Sequence, residues 1–271
     1  MRGTRLEGAR VLLTGASSGI GEALAGELTS RGARVVVVAR RAEMLQLLAE
    51  RLNASGPGRA RAVPADLTVP GSGPQVVRAA VGALGGLDVV INNAGAGLVG
   101  GQAELGDDEK ARALFELHYW TPLAIVRAAL PALHASDRPT VVNVTSTVQA
   151  VPIPLLGFYA ASKAALARAT QALRTELTPA GIRVVEIVPG ATDTAARDVD
   201  LLPWHGRPPR MLPPASPESV ARAVTRTLER GGDRAVYPRS SRLPLEIPAI
   251  GRLIGSIAAG HIDLDRPPPP G

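Results

Sequence analysis

Tyr159 and Lys163 stand four residues apart in the phrase Tyr159-Ala160-Ala161-Ser162-Lys163. On a helix, positions i and i+4 share a face, so the phenol and the ammonium would be neighbours. A nearby cation favours the phenolate and lowers a pKa that starts at about 10. That makes Tyr159 a usable acid and base at neutral pH. Composition alone does not deliver this pair. Of 30 basic residues only Lys110 and Lys163 are lysine, and there are only three tyrosines. Ser146 lies upstream, at the end of a β-branched run, where its hydroxyl could face the same pocket and polarise a carbonyl.

A second constellation begins where the apolar run Val11-Leu12-Leu13 ends. Thr14-Gly15-Ala16-Ser17-Ser18-Gly19-Ile20-Gly21 is a glycine-rich turn leading into a helical stretch. Glycines allow a tight turn and close backbone approach, and a helix N-terminus offers free N–H groups and a positive dipole end to a phosphate. The spacing G-x-x-x-G-x-G differs from the generic dinucleotide fingerprint, and a purely structural turn is the competing reading. No Gly-Lys-Ser/Thr follows, which disfavours a P-loop nucleotidase. At the end of the second strand an acid would bond both ribose hydroxyls of NAD. The chain has Ala39-Arg40-Arg41 instead, better suited to a 2′-phosphate. Alternatively, both arginines simply open an exposed helix.

These residues need strands that end at one edge and helices that begin there. Strands are expected at Arg10–Thr14, Arg34–Ala39, Arg61–Pro64, Leu87–Ile91, Thr140–Thr145, Arg183–Val188 and Ala235–Tyr237. The unbroken runs VVVVA, LDVVI and TVVNV suit strands covered on both faces. Helices are expected at about 19–31, 41–53, 74–84, 107–134, 159–178 and 217–230, the last opened by Ser216-Pro217-Glu218 as cap, N1 proline and first-turn acid. This alternation predicts an α/β fold, a doubly wound Rossmann-type parallel sheet with helices on both faces.

Composition removes other classes. The 271 residues are 45% hydrophobic, enough for a sizeable core. There is no cysteine, so disulfides, thiolate catalysis and cysteine-bound zinc are excluded. His118, His134, His205 and His261 never fall at metal-ligand spacing, so no metal is expected. The net charge is +6 and the pI about 10.6. The arginines are dispersed and aromatics are only 3%, so nucleic acid is not the expected partner. The stretch before Thr14 is too short for a signal h-region. The uncharged stretch 139–162 carries Asn143, Gln149, Pro152 and Pro154, so it reads as strand plus loop, not as a membrane span. A cytoplasmic protein is expected.

Together the glycine turn and Tyr159/Lys163 resemble the short-chain dehydrogenase/reductase family in its single-domain form, over about residues 8–237. Asp66-Leu67-Thr68 is similar to the family's adenine-contacting segment. Asn92-Asn93-Ala94-Gly95 is similar to its strand-four signature along the cofactor cleft. Asn143-Val144-Thr145-Ser146 with Tyr159 and Lys163 matches its catalytic pattern, and Pro189-Gly190-Ala191-Thr192-Asp193-Thr194 matches the loop that closes on the nicotinamide. Taken singly, Asn92 and Asn143 read as structural hydrogen-bonders.

The resemblance implies an oxidoreductase interconverting a carbonyl and an alcohol by hydride transfer, with NADP(H) preferred over NAD(H). Tyr159 and Lys163 would serve both chemistry and cofactor binding. Gly15, Ser17, Ser18, Gly19, Ile20, Gly21, Arg40, Asp66, Leu67, Asn92, Asn93, Ala94, Gly95, Pro189, Gly190, Thr192 and Thr194 would hold the cofactor. One departure stands out: where the family carries Asn, to help hold a proton-relaying water, this chain has His118 in Phe115-Glu116-Leu117-His118. Either His118 relays protons itself, or the backbone carbonyl holds the water and the side chain is tolerated. His118 is also the sole support for the alternative of a catalytically weak nucleotide sensor or scaffold.

Residues 1–242 are expected to form the dinucleotide-binding and catalytic domain, with a substrate lid at about 195–215 and a C-terminal extension at 243–271. Leu201, Leu202, Trp204, Met211 and Leu212 suggest an apolar ligand portion or, equally, packing on the domain. The extension is interrupted by Pro244, Glu246, Pro248 and Arg252 and is not expected to span a membrane. A cover on the cleft, a subunit contact or a weak lipid-surface contact remain open for it. The family's pairing of helices between subunits implies a homodimer or homotetramer.

Overall fold

The five central strands are apolar runs rich in β-branched residues and buried on both faces, while the two edge strands are poorer in apolar residues and partly exposed. In β2 (Arg34–Ala39) every residue after Arg34 is buried. The computed structural model describes residues 3–193, 201–206 and 214–265. Within them β1 (Arg10–Thr14), β2, β3 (Arg59–Pro64), β4 (Val89–Asn92), β5 (Thr140–Val144), β6 (Arg183–Pro189) and β7 (Arg234–Tyr237) form one parallel sheet in the order β3-β2-β1-β4-β5-β6-β7. The register places Leu12 of β1 opposite Val36 of β2 and Val90 of β4.

Successive side chains point to opposite faces, and each face has its own core. Val11 and Leu13 pack with α1 (Gly19–Ser30), α2 (Ala42–Ser55) and α8 (Pro217–Arg230) through Leu24, Leu28, Leu45, Val224 and Leu228. Leu12 packs on the other face with α3 (Ser72–Leu84) and α6 (Thr121–His134) through Val77, Ala80, Ile125 and Leu133. Each such valine, leucine or isoleucine contributes about 1.5–3 kcal/mol on burial. The α8 start is as its sequence predicts: Ser216 Oγ accepts from the Ser219 N–H at 3.2 Å, and Pro217 occupies the first turn.

Two boundaries differ from expectation for identifiable reasons. β4 starts at Val89 because Asp88 turns its carboxylate to Arg10: Oδ2 accepts from the Arg10 N–H (2.8 Å) and Nε (3.1 Å), and Oδ1 from Nη2 (2.6 Å) and Ser136 Oγ (2.7 Å). After a short α4 (Gln102–Leu105), the single helix expected over 107–134 is divided into α5 (Glu109–Phe115), a π-helical turn at Glu116–Trp120, and α6. Pro122 has no N–H to give to the His118 carbonyl four residues back, so the helix widens. The Thr121 N–H reaches back five residues to Glu116.

Beyond a 3₁₀ turn at Thr147–Ala150 comes α7 (Gly157–Leu177). The C-terminal stretch forms α9 (Arg242–Glu246) and α10 (Pro248–Ala259), both packed on that 3₁₀ turn. No helix among the described residues is long and apolar enough to cross a membrane. No group of three or more His, Asp and Glu among them could hold a metal ion.

Candidate active site

The strand order reverses between β1 and β4, which opens a crevice at the carboxyl ends of the strands. β1 runs out into Gly15, whose φ of +68° is strained for any side chain. A Cβ there would lie 2.6 Å from Ala94 Cα, so the glycine turn and the loop after β4 touch backbone to backbone. Thr14, buried at the strand end, holds them together. Its Oγ1 accepts the N–H groups of Asn93 and Ala94, both at 3.0 Å, and donates to the Ile91 carbonyl at 3.3 Å. Asn93 returns the favour through Nδ2, which donates to the Thr14 and Gly15 carbonyls at 3.0 and 3.2 Å.

The first turn of α1 follows. Ser18 stands at its N-cap with no side-chain cap bond, so the turn of Gly19, Ile20 and Gly21 is not capped by that residue. Ser17 is reached from the end of β2 by Arg41, whose Nη2 donates to Ser17 Oγ at 3.0 Å. Arg40 is exposed at the end of β2. Asp66 lies within its field and accepts from the Thr68 N–H (2.9 Å) and Oγ1 (2.7 Å). Burial pushes the Asp66 carboxyl up, but the Thr68 bonds and Arg40 outweigh it and hold it below the usual value. Leu67 between them is buried.

Across the crevice, α7 presents Tyr159 and Lys163 one turn apart. Lys163 is 4% exposed, and its Nζ donates to the carbonyl of Val144, the last residue of β5, at 3.2 Å. Ser146, just beyond, is buried and caps the 3₁₀ turn, accepting the Val148 N–H at 3.3 Å. His118 is wholly buried and meets the Tyr159 ring edge-on, with centroids 5.6 Å apart. Its Nε2 accepts the Ala96 N–H at 3.1 Å, and its Nδ1 lies 2.8 Å from Ser162 Oγ. Burial, then the charge of Lys163, pushes the His118 pKa well below the ordinary imidazole value.

Other expected residues sit beneath the crevice. Asn92 and Asn143 are both buried; Asn92 Nδ2 donates to Asn143 Oδ1 at 2.9 Å, and Asn143 Nδ2 to Thr170 Oγ1 at 2.9 Å. They bind β4 and β5 to α7, as their structural reading has it. Pro189 ends β6, and the Gly190 N–H donates to the Tyr237 carbonyl at 2.8 Å. Thr192 is buried, with Oγ1 donating to the Gly190 carbonyl at 3.1 Å. Thr194 lies outside the described residues.

Sequence reasoning missed Thr14 and Ser162 as participants, although both lie inside the quoted motifs, and it weighed Arg41 only as a neighbour of Arg40, not as a partner of Ser17. It also missed Glu186, a buried acid in the apolar strand RVVEIVP. Glu186 accepts from Thr145 Oγ1 at 3.0 Å and pairs with Arg234 Nε at 3.1 Å, which fixes the strand end next to Ser146. A lone carboxylate inside such a run was the available signal.

The apolar residues expected in the lid divide. Leu202 is buried with Val151, Ile153, Leu156, Ala258 and Ile262, and Trp204 packs against this cluster, so these side chains join α10 to the loop before α7. Leu201 is exposed. Met211 and Leu212 lie outside the described residues.

The family model for short chain dehydrogenase matches residues 9–200. An Arabidopsis thaliana protein named 11-beta-hydroxysteroid dehydrogenase-like 3 is 33% identical over 225 residues, 82% of this chain and 70% of that one. Among solved structures, a short-chain dehydrogenase from Sphingobium yanoikuyae in complex with NADPH aligns with a TM-score of 0.75 at 28% identity, over 89% of this chain and 93% of that one. A Burkholderia cenocepacia short chain dehydrogenase in complex with NADP aligns with a TM-score of 0.75 at 30% identity, over 86% and 96%.

Proposed function

The chain belongs to the short-chain dehydrogenase family and is an NAD(P)-dependent oxidoreductase; from that premise we propose that it interconverts a carbonyl and an alcohol on a largely apolar small molecule, with NADP(H) preferred over NAD(H). The observation that carries the reading is the placement of Tyr159 and Lys163 on one face of α7, with the ammonium held under the end of β5.

The donors around the crevice fit a phosphorylated dinucleotide. The first turn of α1, without a side-chain cap, suits a pyrophosphate. Arg40 and Arg41 stand at the end of β2 with no carboxylate there to select an unmodified ribose, and Arg41 already reaches the glycine turn through Ser17. Two solved relatives are complexes with NADPH and NADP, which supports the same choice. When bound, the nicotinamide supplies or takes up the hydride.

The chain's own residues control the proton. In reduction Tyr159 gives its phenolic proton to the carbonyl oxygen, and Lys163 stabilises the phenolate left behind. Ser146 orients the carbonyl by donating its hydroxyl hydrogen. An apolar substrate portion is part of this proposal; the apolar cluster of Val151, Ile153, Leu156 and Leu202 that precedes α7 would form the wall behind it. A homodimer or homotetramer belongs to the same proposal; Trp120, 57% exposed between α5 and α6, suits a subunit contact.

Cofactor choice is testable at the end of β2. The unmodified chain should turn over with NADPH in clear preference to NADH, and Ala39→Asp with Arg40→Leu should reverse the order. The swap removes a phosphate partner and adds a repelling carboxylate where ribose hydroxyls need an acceptor. Equal kcat/KM for the two cofactors in the unmodified chain would rule the preference out.

A further inference from the structure

We propose that His118 is a positioning residue, a neutral imidazole that ties the loop after β4 to the catalytic helix and carries no proton in turnover. This rests on the oxidoreductase reading above and extends it to a residue that neither Tyr159, Lys163 nor Ser146 accounts for.

The hydrogen bonds assign the tautomer. Nε2 faces the Ala96 N–H at 3.1 Å, and a nitrogen that accepts carries no hydrogen. The single ring proton of a neutral imidazole therefore lies on Nδ1 and points at Ser162 Oγ, 2.8 Å away. Ser162 in turn donates to the Tyr159 carbonyl at 2.9 Å. The run has one direction, from Nδ1–H through the serine hydroxyl to the backbone of Tyr159.

A second proton has no place to go. On Nε2 it would confront the Ala96 N–H, donor against donor, in a site with no exposure to solvent. The charged and titratable groups that face the ring are Lys163 and Tyr159, both from α7. Glu116, on the ring's own π turn, accepts from Thr121 Oγ1 at 2.9 Å. Gly95 lies beside both His118 and Lys163: a Cβ there would lie 3.3 Å from Nε2 and 3.5 Å from Nζ. An imidazolium in this position would repel the lysine charge that Tyr159 depends on. A neutral ring instead fixes the Tyr159 ring edge-on and anchors the loop 93–96, which packs on the glycine turn.

Two measurements test this. In protein labelled with ¹⁵N-histidine, His118→Gln identifies the His118 signals. They should report a protonated Nδ1 and a bare Nε2, unchanged from about pH 5.5 to about pH 9. Titration of His118 within that range, or a proton on Nε2, would overturn the proposal. This arm does not depend on finding a substrate, so it stands even if the dehydrogenase reading fails.

The second arm is kinetic. His118→Ala should lower kcat at least about 10-fold, because loop and helix lose their common anchor. Water admitted beside Lys163 should also screen its charge and move the Tyr159 limb of the alcohol-oxidation pH profile to higher pH. His118→Gln can accept from Ala96 and donate to Ser162, so it should return kcat to within about 3-fold and the limb to its original place. A Gln variant as impaired as the Ala variant, with NADPH binding intact, would identify a proton carrier and contradict the positioning role.

Discussion

Thr14 shows how much of the crevice rests on one hydroxyl. It accepts two amides from the loop after β4 and donates to a third partner in β4 itself. Thr14→Val keeps shape and volume but leaves two part-buried N–H groups without their acceptor. Stability should fall by about 1–3 kcal/mol, and NADPH affinity should weaken as the two loops part; denaturant unfolding and cofactor titration check both, and an unchanged midpoint would remove Thr14 from this role. Tyr159, Lys163 and Ser146 were legible because one helix turn and one strand end fix their placement. Thr14 and Ser162 were not, because their partners lie on other segments: 77 to 80 residues separate Thr14 from Ile91, Asn93 and Ala94, and 44 separate Ser162 from His118. Only the fold brings those contacts about.

Among the elements, β-branched runs and capped helices announced themselves, and the observed β1, β2 and α8 begin and end where the sequence places them. The interruption of the long helix was readable in principle from Pro122, but apolar periodicity continues across it and conceals the π turn. The C-terminal stretch was harder still, since Pro244 and Pro248 argue against a regular helix. Pro248 in fact starts α10, where a missing N–H costs nothing. Gly251, Gly255 and Ala258 form the buried face of α10, so it seats closely on the segment from Ala150 to Pro152. Of the three roles open to this extension, we propose a cover beside the cleft, since α10 packs on the loop before α7. Deleting residues 243–271 should uncover Val151, Ile153 and Leu156, raise substrate KM and leave the NADPH Kd nearly unchanged. A truncated chain with unaltered KM would show that α10 plays no part in substrate binding.

The whole molecule separates stability from chemistry along the strands. Reaction groups gather at the carboxyl ends, while the amino ends carry the Arg10–Asp88–Ser136 network. Burial pushes the Asp88 carboxyl up, but the bonds from the Arg10 guanidinium and amide and from Ser136 overcome it and leave the pKa below the usual value. A carboxylate depressed on folding contributes stability above its unfolded pKa of about 4, and that contribution is lost as pH falls through the folded value. Asp88→Asn should therefore lower Tm at neutral pH, and the difference from the unmodified chain should shrink below about pH 4. A gap that persists at low pH would assign the effect to packing instead.

The central claim is that Tyr159, supported by Lys163, is the acid and base of an NADPH-dependent carbonyl reductase. Its most direct test is NADPH consumption over a panel of apolar ketones by the unmodified chain and by Tyr159→Phe, with NADPH binding measured alongside. The account predicts turnover by the unmodified chain, a fall in kcat of at least about 10²-fold in the Phe variant, and nearly equal NADPH affinity in both. A Phe variant that binds NADPH and keeps most of its turnover would contradict it.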